Sequence, residues 1–276
     1  MMKSQINAIR QLQELVLIRD EHYQTGDGSH LDSLNDSIDD IKGKLTSQVA
    51  GIFERLYKKS HIVIASMAKG CCSVCGMQVP IAQAQQVRMA QHLVTCSSCG
   101  RILFSDDDDS PHNISVKPDR DEIKTGVSRF SAEELMIPEL KATTREGAIE
   151  ELANAMAGAK FISNADSLVT AALSRENILP TAMENGFAFP HVRGVEGGGL
   201  TFALGLSRDG IDWAGQKVNI VFLSAIPVAV SAFYLRLLAD IMAAFRKAET
   251  KESLFAAKTP SDLWKALSKA TRAYVK

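Results

Sequence analysis

Two C-x-x-C pairs, Cys72-Ser-Val-Cys75 and Cys96-Ser-Ser-Cys99, stand twenty residues apart, and each runs directly into a glycine, Gly76 and Gly100. A chain carrying this arrangement has few ways to fold around it. Glycine after each pair lets the backbone turn and aim its amides at the sulfurs. Two such knuckles present the thiolates of Cys72, Cys75, Cys96 and Cys99 tetrahedrally about one zinc ion, at about 2.3 Å. No coordination position then stays open, so this metal is expected to be structural. A redox role needs only one C-x-x-C, usually in a βαβ setting; unligated thiols are the remaining reading. Cys71 is expected to be a bystander able to replace Cys72, and His92 a loop residue. Five cysteines in 276 residues fall short of a secreted disulfide scaffold.

Around this segment the chain divides. At roughly 100–200 residues per domain, its length suggests about two folded units. An apolar fraction of 46% excludes collagen-like, mucin-like and wholly disordered chains. Residues 1–66 read as helix, loop, helix, with TGDGSH at 25–30 as the breaker. Leu31, Leu34, Ile38, Ile41, Leu45, Val49, Ile52 and Leu56 recur every three or four residues, which predicts one continuous second helix with a coiled-coil seam. An additional four-residue step marks where the supercoil relaxes. Ile6, Ile9, Leu12, Leu15, Val16 and Ile18 of the first helix are the expected partner; a homo-oligomer through the same seam is the alternative.

Residues 67–105 hold the cysteines. Residues 106–127, with aspartate from Asp106 to Asp109, read as an acidic flexible linker with little to bury. From 128 to 276, strand-like runs (TFALGL, VNIVFLSA) alternate with helix-like ones (REGAIEELANAM, FYLRLLADIMAAF), the mark of an α/β layer domain. Val218 to Leu235 is free of charge, but Pro227 splits it into a strand and a helix, so no membrane span is expected. The segment MMKSQINAIRQLQ lacks the apolar core of a signal peptide, and the expected location is cytoplasmic.

A net charge of −1 excludes a chain that is basic overall. Locally, Arg55, Lys58, Lys59, Lys69, Arg88 and Arg101 occur with no acidic residue between 55 and 105. A four-thiolate zinc centre carries −2, leaving about +4 there. A solvated basic face or a protein contact is the expected use; nucleic acid is disfavoured because no aromatics are interleaved for stacking.

The block CCSVCGMQVPIAQAQQVRMAQHLVTCSSCGRILF, with FERLYKK upstream, resembles the bacterial C4-type zinc-ribbon family that follows a coiled-coil hairpin. The resemblance covers roughly residues 30 to 105 and implies an interaction module, with an unidentified protein partner for coiled coil and ribbon.

In the C-terminal part, Phe187-Ala188-Phe189 alternates like a half-buried strand and Pro190 stops it. His191 is therefore expected at a strand end facing a surface cleft, with Arg193 two positions on and Arg175 before the loop. A neutral imidazole is a competent nucleophile near pH 7, and guanidinium forks match phosphoryl oxygens. A histidine satisfied by a backbone carbonyl fits the same spacing.

Residues 130 to 276 resemble the IIA component of the fructose/mannitol/nitrogen class of the phosphoenolpyruvate-dependent phosphotransferase system. Arg175-Glu176, Thr181, Asn185-Gly186 and Ala188-Phe189-Pro190-His191 carry the likeness. It implies a phosphohistidine carrier: His191 accepts a phosphoryl group from an HPr-like protein and passes it on, with Arg175 supporting the phosphate. Thr181 and Arg193 complete the candidate set with Tyr234, which stands where the family has a second histidine. Tyrosine there can donate a hydrogen bond or simply pack at a helix start. Two family glycines are Ala182 and Glu184 here. Alanine and glutamate resist positive φ, and Glu184 opposes an incoming dianion. The expected whole is multidomain: an α-helical coiled-coil hairpin, a zinc ribbon, and an α/β three-layer domain with a mixed β-sheet flanked by helices. Its expected function is a regulatory IIA-like phosphocarrier, or else a non-catalytic adaptor with a degenerate IIA domain.

Overall fold

The computed structural model describes residues 2–25, 31–68, 70–105, 115–116, 125–183, 185–197, 199–227 and 230–275. They fall into two compact units, Met1–Ser110 and Pro111–Lys276. Glu184, Lys69 and the run Asp106 to Asp109 lie outside the described residues.

In the first unit, α1 (Met2–Thr25) packs against α2 (Leu31–Lys44). Ile9, Leu12 and Val16 from one helix, and Leu31, Leu34 and Ile38 from the other, are buried. The expected continuous second helix is in fact two. It ends at Lys44, and α3 (Ser47–Tyr57) starts afresh with Thr46 as its N-cap, the hydroxyl accepting the Val49 amide at 3.4 Å. The Gln5 side chain stitches the gap, donating to the Lys44 carbonyl at 2.9 Å and accepting the Thr46 amide at 2.8 Å. The break falls at the additional four-residue step of the seam, beyond which Phe53 rather than Ile52 is buried.

The cysteine segment forms β1 (Ile64–Ala68), β2 (Cys71–Cys72), α4 (Ile81–Met89), β3 (Val94–Thr95) and β4 (Ile102–Ser105), with sheet order β2-β1-β4-β3. The Gln13 side chain of α1 holds the start of β1. Its oxygen accepts from the Val63 and Ile64 amides at 2.5 and 2.9 Å, and its nitrogen donates to the Ile64 carbonyl at 3.2 Å. At the far end of α1, Asp20 accepts from the Tyr57 hydroxyl and meets His61 Nδ1 at 2.8 Å. Burial and the nearby carboxylate push the Tyr57 hydroxyl up to about 12, so it remains a donor at neutral pH.

The second unit is built on a mixed sheet. It contains β5 (Ser115–Val116), β6 (Met136–Ile137), β7 (Phe187–Ala188), β8 (His191–Gly197), β9 (Thr201–Trp213) and β10 (Gln216–Pro227). Its order is β5-β8-β10-β9-β6, with β7 also on β10. β7 and β8 run parallel to β10, and β9 antiparallel to it. Ala214 and Gly215, both at positive φ, make the two-residue turn between β9 and β10, which suits the right-handed twist of a hairpin. The helices α5 (Arg145–Gly158), α6 (Ala165–Glu176), α7 (Ser231–Ala244), α8 (Ala248–Phe255) and α9 (Pro260–Thr271) flank this sheet. Side-chain caps at Thr144, Asn164 and Thr259 start α5, α6 and α9. Trp213, Phe187, Phe202 and Phe222 are fully buried. Among the described residues no helix is long and apolar enough to cross a membrane.

Within the expected linker, Ser115 and Val116 add to the edge of β8. A sheet edge offers unpaired backbone groups, and pairing with them needs no apolar side chain, which is why composition did not announce this strand.

Candidate functional site

The two cysteine knuckles are near copies. Gly76 N donates to Cys72 O and Gly100 N to Cys96 O, both at 2.8 Å, with the glycines at φ 70° and 73°. Cys72 N donates to Met77 O at 2.9 Å and Cys96 N to Arg101 O at 2.8 Å. These turns bring the four Sγ atoms within 4.8 Å of one another, with Cys72–Cys99 at 3.8 Å and Cys75–Cys96 at 3.7 Å. A tetrahedron with 2.3 Å metal–sulfur bonds has edges of about 3.8 Å, so the four cysteines are positioned to hold a metal ion. Burial pushes the Cys72 thiol up to about 12. At Cys99 burial acts the same way but is outweighed by hydrogen bonds from Arg101 and the neighbouring cysteines, which bring it down to about 7. Cys71 and His92 are outside the cluster.

The histidine site departs from expectation. His191 does not sit beyond a finished strand; it opens β8, opposite Ser224 of β10. Pro190 interrupts the strand only locally, because its carbonyl still accepts the Ser224 amide at 3.0 Å. Phe187, Ala188 and Phe189 are all buried, so this strand is covered on both faces and not half-exposed. His191 is only 2% exposed, closed where an open cleft was expected.

What closes it is partly Tyr234, on the first turns of α7, itself 3% exposed. The two rings lie 5.1 Å apart, tilted by 43°. Arg193, two residues along β8 and so on the same strand face, places its guanidinium carbon 5.3 Å from the Tyr234 ring centroid, a cation–π distance. His191 Nδ1 lies 2.9 Å from the Phe189 carbonyl oxygen. A carbonyl only accepts, so Nδ1 bears the hydrogen and the lone pair of the neutral ring is on Nε2.

His191, Arg193 and Tyr234 thus come together. Thr181 joins from behind: its hydroxyl accepts the Phe189 amide at 3.2 Å. Arg175, 9% exposed, donates from Nη1 to the Leu179 carbonyl at 2.6 Å, bracing the loop after α6. Ala182 forms a bridge with Ala188 and does not take positive φ, so the expected strain of alanine at that family glycine is absent. Trp213 carried no expectation, and Glu176 entered only as half of the Arg175-Glu176 match, without a role of its own. Glu176 is fully buried and accepts from Thr181 N, Thr181 Oγ1 and Trp213 Nε1 at 3.0, 2.6 and 2.7 Å. That match was the available signal, since a buried glutamate almost always has a partner.

Residues 129–270 match the family described as phosphoenolpyruvate-dependent sugar phosphotransferase system, EIIA 2, and residues 71–103 the C4-type zinc ribbon domain. The chain is 26% identical over 161 residues to the 2-O-alpha-mannosyl-D-glycerate-specific EIIABC component of the Escherichia coli system, covering 56% of this chain and 24% of that protein. It is 26% identical over 138 residues to the fructose-specific EIIA component of Haloferax volcanii, covering 49% of this chain and 90% of the relative. It therefore spans about a quarter of the first relative's length. Among solved structures, the nitrogen regulatory protein IIA-Ntr of Neisseria meningitidis aligns over 51% of this chain and 98% of its own, at 16% identity and a TM-score of 0.46.

Proposed function

The chain belongs to the EIIA 2 family of the phosphoenolpyruvate-dependent sugar phosphotransferase system, and from that premise we propose that it is a phosphoryl carrier whose acceptor atom is Nε2 of His191. The observation that carries this is the 2.9 Å contact between Nδ1 and the Phe189 carbonyl. It leaves the nucleophilic lone pair on Nε2, with Arg193 on the same strand face.

Transfer then proceeds by exchange between two imidazoles. Nε2 attacks the phosphorus of a phosphohistidine on an HPr-like carrier. A new P–N bond forms as the donor's P–N bond breaks, and that electron pair returns to the donor's ring. His191 keeps its Nδ1 hydrogen throughout, so the phosphorylated ring is cationic and the Phe189 carbonyl stabilises it. Arg193 offsets the charge of the phosphoryl oxygens, and the Tyr234 hydroxyl is a further donor to them. Because the ring is closed in by Tyr234, access requires that side chain to turn away. Onward transfer runs the same exchange in reverse.

The four-cysteine site is assigned to structural zinc, which fixes the fold of residues 71–103 and leaves no open coordination position. A metal-stapled helical unit in the same chain suits partner binding, so the phosphorylation state of His191 acts as a signal. Metal-bound thiolates are kept in a reducing compartment, which favours the cytoplasm.

Burial of His191 favours a second reading, a non-catalytic adaptor whose partners bind through helices and ribbon. The two separate cleanly. The full chain is incubated with labelled phosphoenolpyruvate, the first phosphotransferase enzyme and HPr. Acid-labile, alkali-stable label on wild type and none on His191→Ala is expected. No label on wild type, or equal label on both, ends the carrier reading; partner capture unchanged by His191→Ala then speaks for the adaptor.

A further inference from the structure

A buried carboxyl and the candidate imidazole are linked by three hydrogen bonds in series. The Thr181 hydroxyl donates to Glu176 Oε1 at 2.6 Å; its oxygen accepts the Phe189 amide at 3.2 Å; and the Phe189 carbonyl faces His191 Nδ1 at 2.9 Å. We infer that Glu176 is a positioning residue for His191, acting through Thr181, which orients the Phe189 carbonyl and so fixes the imidazole's tautomer and direction.

The direction of each bond supports this. A hydroxyl has one hydrogen, and here the carboxyl takes it, so the lone pairs of Thr181 are turned to the Phe189 N–H. The other oxygen of Glu176, Oε2, accepts both the Thr181 amide at 3.0 Å and Trp213 Nε1 at 2.7 Å, so both carboxyl oxygens are held within the core. The peptide joining Phe189 to Pro190 has no N–H, because proline carries none. A strand peptide is normally held by donor and acceptor together; this one has only its carbonyl, and that carbonyl serves His191. Its orientation must come from its flanks. On one side is the Phe189 amide on Thr181, on the other the Pro190 carbonyl accepting Ser224 N at 3.0 Å. Without the hydroxyl, the first flank is lost and a buried N–H is left unsatisfied.

The inference concerns the tautomer of His191; only its consequence for rate rests on the phosphoacceptor reading. Long-range proton–nitrogen NMR spectra of the full-length, ¹⁵N-labelled chain report which ring nitrogen bears the hydrogen. In wild type it should be Nδ1. Thr181→Val should populate the Nε2–H form and slow label uptake by roughly ten- to a hundred-fold, by analogy with the loss of an outer-shell partner behind a metal-ligating histidine. Thr181→Ser, which restores the hydroxyl, should recover both. Trp213→Phe should lower the melting temperature yet keep the wild-type tautomer. Should Thr181→Val not fold, Glu176→Gln gives the same readout and the same expected shift. A wild-type tautomer in Thr181→Val, or an equal shift in Trp213→Phe, overturns the inference. A tautomer shift in a chain whose wild type takes no label sustains it while removing the carrier reading.

Discussion

Around the cysteines, both ligands of each pair lie within one turn of backbone, whereas the groups assembled around His191 come from the link between β7 and β8, from β8 itself, from α7 and, through Phe189, from the loop between α6 and β7. The first arrangement repeats one local device twice: glycine at positive φ, and a 2.8 Å bond back to the first cysteine. It needs little core, because the metal it is shaped for closes the structure. The second has no local device. Its geometry is imposed by a sheet that buries Trp213, Phe187 and Phe222 completely, and that same packing closes the ring off from solvent. A locally built site is therefore expected to fail as a unit when its ligand is lost, and a distributed one to change in degree when a neighbour is altered.

The largest effect should come from the metal. Structural zinc in small domains contributes about 10–16 kcal/mol, so chelation or Cys72→Ser should unravel residues 71–103 while α5 to α9 and their sheet stay folded. One zinc per chain by elemental analysis, and loss of amide protection confined to the ribbon, are the expected readouts. A ribbon still protected without metal would place its stability in the core instead. Next in size is Gln13→Ala. It removes three hydrogen bonds between α1 and the start of β1, a loss of about 1–3 kcal/mol. The thermal transition of the metal-bound first unit should fall by a few degrees, with zinc content unchanged; loss of zinc would show that the helices, not the knuckles, shape the metal site. Smallest is Tyr234→Ala. An aromatic contact is worth about 0.5–1.5 kcal/mol beyond burial, so opening the ring should speed label uptake at His191 by roughly two- to ten-fold. Uptake slowed by that change would make Tyr234 a donor to the phosphoryl group first and a cover second.

The same contrast governs how much could be read in advance. Four ligands spaced C-x-x-C twice, each followed by glycine, carry their geometry in ten residues, and the structure adds only the measured edges. Helix and strand alternation in the second unit was equally plain, since apolar runs such as VNIVFLSA have no other use. The break at Leu45–Thr46 was harder. Its sign is the additional four-residue step, but the partner that makes it tolerable, Gln5, is forty residues away. From the sequence, Pro190 reads as the end of a strand, which puts His191 at the surface. Proline costs only an N–H, and the neighbouring β10 pairs across it. Glu176 was legible only as half of the Arg175-Glu176 match; its role was not, because Trp213, from which it accepts a hydrogen bond, is brought there by the fold alone.

The central claim is that one nitrogen of one ring takes the phosphoryl group, and the position of that group tests it most directly. After incubation with phosphoenolpyruvate, the first phosphotransferase enzyme and HPr, phosphorus NMR and peptide mapping should find a single phosphohistidine at residue 191, bonded through Nε2. A phosphoryl group bonded through Nδ1, attached elsewhere in the chain, or not taken up at all would contradict it.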